Sequence, residues 1–217
     1  HFINLLTWNV CGLAGKLEDV SFTNFIAKHD FVCITETHFM AEITSDTFKD
    51  FVCFSVQACK LSFHGRPSGG VLVLVKREIA HFCELVDSDF DHCVVLKLSK
   101  DLFGTVKPIL LINVYVHPYN SEYYRTTQNG YGLEQLDECV ENLLDTYQDS
   151  YVMICGDINA RTGQKNACFS LQDDELWHPL TFNNGEADSV DFERQSEDSV
   201  VNSFGQQLLE FCELHSC

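Results

Sequence analysis

Three polar clusters stand at the carboxyl ends of apolar runs: Asn9 after Ile3 to Trp8, Glu36 after Phe31 to Thr35, and Gly156-Asp157-Ile158-Asn159 after Tyr151 to Cys155. In α/β folds ligands gather where strands end and loops begin, so three such clusters are placed to converge on one pocket. Clustered acids are also what an enzyme that binds a divalent metal requires. Each cluster alone has an ordinary reading as well: a turn-forming Asn, a solvated Glu at a strand end, and an Asx-turn in Gly-Asp-x-Asn.

The elements that must position these residues are legible from periodicity. Ile3 to Trp8 reads as a buried strand closed by Asn9-Val10-Cys11-Gly12, and Leu17, Val20, Phe25 and Ile26 follow at helical spacing. Further strands are expected at 31–34, 51–56, 70–75, 93–98, 109–116 and 151–155, bounded by Gly, Pro, Asp or Ser. Leu133, Leu136, Val140, Leu143, Leu144 and Tyr147 keep a helical period, as do Phe204, Leu208, Leu209 and Cys212. Helices alternating with many strands, several in consecutive β runs, favour an α/β sandwich with mixed or antiparallel sheets. The 217 residues suit a single domain with a sizeable core.

Bulk properties narrow the classes. No stretch approaches a membrane span or a signal peptide, so the expectation is a soluble, intracellular protein. The 11 cysteines are odd in number and show no CxxC or zinc-ligand spacing, which points to reduced, mostly buried thiols such as Cys33, Cys53, Cys93, Cys139, Cys155 and Cys212. The formal charge of −18 opposes a nucleic-acid partner, since phosphate neutralisation supplies much of that affinity. Much of it is local: between Asp173 and Asp198 nine acidic residues face one base, Arg194. That aperiodic segment is expected to be a loop lying away from the site.

In order, Thr7-Trp8-Asn9-Val10-Cys11-Gly12-Leu13, Ile34-Thr35-Glu36-Thr37-His38, Asn113-Val114-Tyr115-Val116 and Gly156 to Gly163 (GDINARTG) resemble the successive motifs of the endonuclease/exonuclease/phosphatase superfamily. Gly69 to Val73 and Asn202 to Leu209 are similar to segments of its retrotransposon (non-LTR) branch, and the resemblance covers essentially the whole chain. It implies a four-layer, deoxyribonuclease I-like α/β sandwich of two facing sheets with outer helices. It also implies phosphoester hydrolysis aided by Mg²⁺ or Mn²⁺. By the same resemblance Glu36 and Asn9 hold the metal, Asp157 is the general base, Asn159 orients the water, Tyr115 donates to a phosphate oxygen, and Arg161 contacts phosphate. His38 and His117 are read as loop residues and Trp8 as core.

The chain departs from the family pattern at Cys11, where relatives carry an acid or Asn, and at His117-Pro118, where the proline comes one place late. The family's final Asp and Ser-Asp-His motifs find no match, since His215 follows Leu214 on an expected helix. The expectation is therefore a domain incomplete at its carboxyl end, missing its last strands, with little activity and poor solubility. The implied function is a DNA-nicking endonuclease domain of a retrotransposon polyprotein, acting in the nucleus and followed by a reverse transcriptase. A phosphatase or phospholipase of the same fold and a catalytically dead remnant are the alternatives.

Overall fold

The computed structural model describes residues 2–61, 65–127, 130, 132–165 and 196–215. The chain divides into two compact units, His1–Asn159 and Ala160–Cys217.

The first unit holds two four-stranded sheets. One has the order β1-β2-β4-β3, from Leu5–Asn9 (β1), Phe31–Thr35 (β2), Phe51–Val56 (β3) and Val71–Lys76 (β4). The other runs β5-β6-β7-β8, from Cys83–Val86 (β5), Cys93–Leu98 (β6), Ile109–Tyr115 (β7) and Tyr151–Asp157 (β8). Each sheet is mixed. β1 lies parallel to β2 and β7 parallel to β8, while the remaining neighbours are antiparallel. Parallel neighbours need a crossover, and helices supply both: Val20–Ile26 (α1) joins β1 to β2, and, after the short Lys100–Phe103 (α2) between β6 and β7, Glu122–Thr127 (α3) with Gly132–Thr146 (α4) joins β7 to β8. Consequently the carboxyl ends of β1 and β2 point one way together, as do those of β7 and β8.

The sheets pack face to face, with β1 and β2 against β8, β2 and β4 against β7, and β3 and β4 against β6. Strand alternation fills this layer: Phe31, Cys33, Val71, Val73 and Val75 from one sheet meet Val94, Leu96, Leu98, Ile109 and Leu111 from the other. The opposite face of the first sheet, with Val32, Ile34, Leu72 and Leu74, is covered by Phe22 and Ile26 of α1 and by Ile43 and Phe48. Asp19 caps α1 by accepting from the Ser21 backbone N–H at 2.8 Å. Trp8 sits partly buried on that face, its ring 5.4 Å from Phe22. On the second sheet α4 buries Leu133, Leu136, Cys139, Val140 and Leu143, and the Cys139 thiol lies 3.2 Å from Ser88 Oγ beside Cys93. Helix, sheet, sheet and helix make the expected deoxyribonuclease I-like layering.

One polar residue crosses the apolar layer. Asn113, fully buried in β7, donates its side-chain N–H groups to Ile34 O at 3.2 Å and Leu72 O at 3.1 Å in the facing sheet. The tie lies two residues before Tyr115 and before Glu36. It therefore fixes the sheet separation at the end where the motif residues stand.

In the second unit Ser203–His215 (α5) buries Phe204, Leu209 and Phe211, and Thr162 bridges Val201. Gly205 packs so closely on the Arg161 carbonyl that a Cβ would collide with it. The acidic segment, up to residue 195, lies outside the described residues. Among the described residues no helix is long and apolar enough to cross a membrane.

Candidate functional site

Four strand ends carry the motif residues: Asn9 ends β1, Glu36 follows β2, Tyr115 ends β7 and Asp157 ends β8. Alternation along β1, β7 and β8 turns Asn9, Tyr115 and Asp157 toward the layer between the sheets, as with Leu111 and Cys155. The same rule would send Glu36 to the outer face with Ile34. The backbone prevents this, because Glu36 is left-handed at φ 53° and leaves the alternation. The turn is pinned on both sides. Gly12 and Leu13 donate to the carbonyls of Glu36 and Thr37, while Thr37 and His38 donate to those of Gly70 and Gly69.

Asp157 is held at both oxygens. Asn9 Nδ2 donates to Oδ2 at 2.6 Å and the Asn159 backbone N–H donates to Oδ1 at 2.9 Å, fixing the carboxylate plane. The Asn159 side chain donates to Val116 O at 2.8 Å, and its backbone is also left-handed, at φ 53°. At Gly156 a Cβ would collide with the Val114 carbonyl, so a side chain there would push β8 off β7. Asn9 keeps its amide oxygen on its own turn, accepting the Cys11 N–H at 3.0 Å, and one lone pair stays available.

Tyr115 is buried between the two acids. Burial, then the charges of Glu36 and Asp157, push its phenol well above the ordinary tyrosine range, and Glu36 and Ser68 are its hydrogen-bond partners. It stays a protonated donor. His38 Nε2 lies 3.5 Å from Glu36 Oε2. Burial, reinforced by the Arg66 charge, lowers the His38 pKa below its usual value against the pull of Glu36, so the imidazole is neutral at pH 7. Among the described residues the only basic neighbour of Glu36 within 4 Å is therefore an uncharged imidazole.

Glu36, His38, Arg66, Ser68, Tyr115 and Glu122 line a cleft of about 260 Å³. Arg66 is the residue that sequence reading missed. It stands in the connection from β3 to β4 with no motif around it, and its guanidinium approaches Cys11 Sγ at 3.8 Å. A larger cleft of about 680 Å³ lies at the other ends of β6 and β7, around Ser99 and Pro108, and contains none of the motif residues. Its size reflects an open groove between lysine side chains, so the smaller cleft is the chemical candidate.

Arg161 belongs to the second unit. Its Nε and Nη2 donate to the two oxygens of Asp198 at 2.8 and 2.7 Å, a bidentate fork that occupies the guanidinium edge. Asn9, Glu36, Tyr115, Asp157 and Asn159 are brought together, whereas Arg161 is committed to a carboxylate.

Comparison with known proteins bears on the family and the fold. The model of the Endonuclease/Exonuclease/phosphatase family matches residues 6–187. No curated protein matches. Among solved structures, the AP endonuclease LMAP from Leishmania major is similar over 97% of this chain and 66% of its own, at 16% identity and a TM-score of 0.60. The catalytic domain of Xenopus laevis APE2 aligns over 79% of this chain and 62% of its own, at 13% identity and a TM-score of 0.51. The endonuclease domain of TRAS1, a telomere-specific non-LTR retrotransposon, aligns over 97% and 70%, at 13% identity and a TM-score of 0.48. The chain spans 61% and 66% of the first two solved chains it matches.

Proposed function

Because this chain belongs to the endonuclease/exonuclease/phosphatase family, we propose that its site hydrolyses a phosphodiester of DNA by attack of a water held on Asp157. The observation that carries this is the 2.6 Å bond from Asn9 to Asp157, which aims a clamped carboxylate into the space shared with Glu36 and Tyr115.

The donor set fits a hard divalent cation. Glu36 offers a carboxylate without a charged partner within 4 Å among the described residues, and Asn9 offers the second lone pair of its amide oxygen. Cys11, a soft thiol, is unsuited to that role. Mg²⁺, with Mn²⁺ as substitute, would supply neutralisation of phosphate charge when held there. Asp157 takes the proton of the attacking water, and Asn159 fixes the carboxylate's orientation through its backbone N–H. Tyr115 donates its phenolic proton to a non-bridging phosphate oxygen on exchanging Glu36 for substrate. Arg66, in the same cleft, contacts a flanking phosphate, and Arg161 serves phosphate only if it leaves Asp198.

We read the retrotransposon type from the run Gly156 to Gly163 and the segment Asn202 to Leu209, which implies a nuclear DNA target and a reverse transcriptase downstream. The test is divalent-metal-dependent nicking of supercoiled plasmid by the chain and by a version extended along its parent transcript, with Asp157→Asn and Glu36→Gln as controls. Hydrolysis of inositol phosphates or sphingomyelin without plasmid nicking would replace DNA by a small phosphoester. Reverse-transcriptase motifs in the parent transcript would support the element type.

A further inference from the structure

A second cluster stands behind Tyr115 and takes no part in the scheme above. His92 precedes β6 and His117 lies two residues beyond β7. Both are buried, and their Nε2 atoms face one another at 3.3 Å. Cys59, in the connection from β3 to β4, brings its thiol to the same place. One ligand atom from each of the three residues lies within 4.8 Å of the other two.

A plain hydrogen bond between the imidazoles accounts for the 3.3 Å separation but not for the rest. In that reading the Cys59 thiol stands apart from the rings and donates to Ser68 O at 3.6 Å, and His92 Nδ1 is buried with no hydrogen-bond partner among the described residues. A tetrahedral metal accounts for the 3.3 Å separation and gives the nearby thiol a place as well. At Zn–N lengths of about 2.0–2.1 Å, two ligand nitrogens stand roughly 3.3–3.4 Å apart, and a thiolate at about 2.3 Å stands roughly 3.6 Å from each. The other nitrogen of His117, Nδ1, lies 3.4 Å from Ser68 Oγ, the hydrogen bond that orients a ligating imidazole.

We propose that Cys59, His92 and His117 form a Zn²⁺ site with three protein ligands and a fourth position for water. Two imidazoles and a thiolate suit zinc and disfavour Mg²⁺, so this site and the carboxylate site select different ions. Binding replaces the Cys59 thiol proton by a Zn–S bond and releases that proton to solvent. Zinc would tie the β3–β4 connection, where Cys59 pairs with Ser68, to the strand that carries Tyr115. The site stands whether or not the chain hydrolyses DNA.

The test uses the full chain, reduced and stripped with a chelator, titrated with Co²⁺ as a spectroscopic stand-in. The expected result is one equivalent bound, with a thiolate charge-transfer band in the near ultraviolet and the intense visible bands of a tetrahedral ion, all displaced by Zn²⁺. Cys59→Ser should remove the charge-transfer band. His92→Gln and His117→Gln should each weaken binding by about a hundredfold or more. Cys11→Ser and Glu36→Gln, at the carboxylate site, should leave the band in place. Absence of the band in the unaltered chain, or its persistence in Cys59→Ser, overturns the proposal. The serine variant keeps the test decisive if a histidine variant does not fold.

Discussion

Asn9 Nδ2 and Asp157 Oδ2 meet at 2.6 Å across 148 residues of chain, joining the end of β1 to the end of β8 in the facing sheet. Asp157→Asn should lower kcat by about 10²- to 10⁴-fold in plasmid nicking. Asn9→Ala, which frees the carboxylate to rotate, should lower kcat rather than raise KM, and Asn9→Asp should not rescue it because the N–H donor is gone. Equal loss in KM and none in kcat would show that Asn9 serves binding alone.

Tyr115→Phe should reduce kcat by about 10²-fold, the order found on losing one donor to a developing oxyanion. The sign of the pH effect follows from the raised phenol pKa. A group whose pKa lies above the ordinary value near 10 stays protonated through neutral and mildly alkaline pH. The profile of kcat between pH 6 and 9 should therefore keep its shape in Tyr115→Phe. A lost alkaline limb would mean that the phenol titrates in that window.

The two arginines should behave differently. Arg66→Ala should weaken DNA binding and flatten the dependence of log K on log salt by about 1, the signature of one phosphate contact. Arg161→Ala should leave that slope unchanged, since Asp198 holds its fork at 2.7 and 2.8 Å. The reverse pattern, read by fluorescence anisotropy at several salt concentrations, would reassign the phosphate contact.

Asn113→Ala removes two buried hydrogen bonds and opens a void, which should cost about 2–4 kcal/mol in urea unfolding. Asn113→Leu fills the space and should cost less, yet it should still lower kcat because the sheets are no longer tied beside the site. Full activity in the folded leucine variant would limit Asn113 to stability.

Thr35 presents the opposite case. Its hydroxyl is buried with no partner among the described residues, one residue before Glu36. Thr35→Val should stabilise the protein by about 1 kcal/mol, seen as a rise of a few degrees in Tm. A fall in Tm would reveal a partner for the hydroxyl.

Strands with largely apolar runs were readable in the sequence: 51–56 and 93–98 match the expected bounds, and 109–116 differs by one residue. β5 escaped notice because Cys83–Val86 is a four-residue edge strand with Glu84 and Leu85 exposed. α3, Glu122–Thr127, is too short to establish a helical period. At the site, strand ends located Asn9, Tyr115 and Asp157, but placing Glu36 depends on a left-handed turn that no motif states. The cysteine and histidine cluster was unreadable because its members come from three separate elements. The placement of the acidic segment falls outside the described residues, apart from its last members, among which Asp198 binds Arg161.

Glu36, His38, Asn159 and Cys11 all hold left-handed backbone at φ 47–58°, a conformation that non-glycine residues adopt at a cost of order 1 kcal/mol or more. Glycine at any of them would relax that cost. A library of variants sorted for heat resistance alone should accordingly accumulate glycine at 36 and 159, and every such clone would lose the carboxylate or the amide that the turn exists to aim. Robustness and competence compete for the same few positions, so a breeder of this protein must screen for both at once.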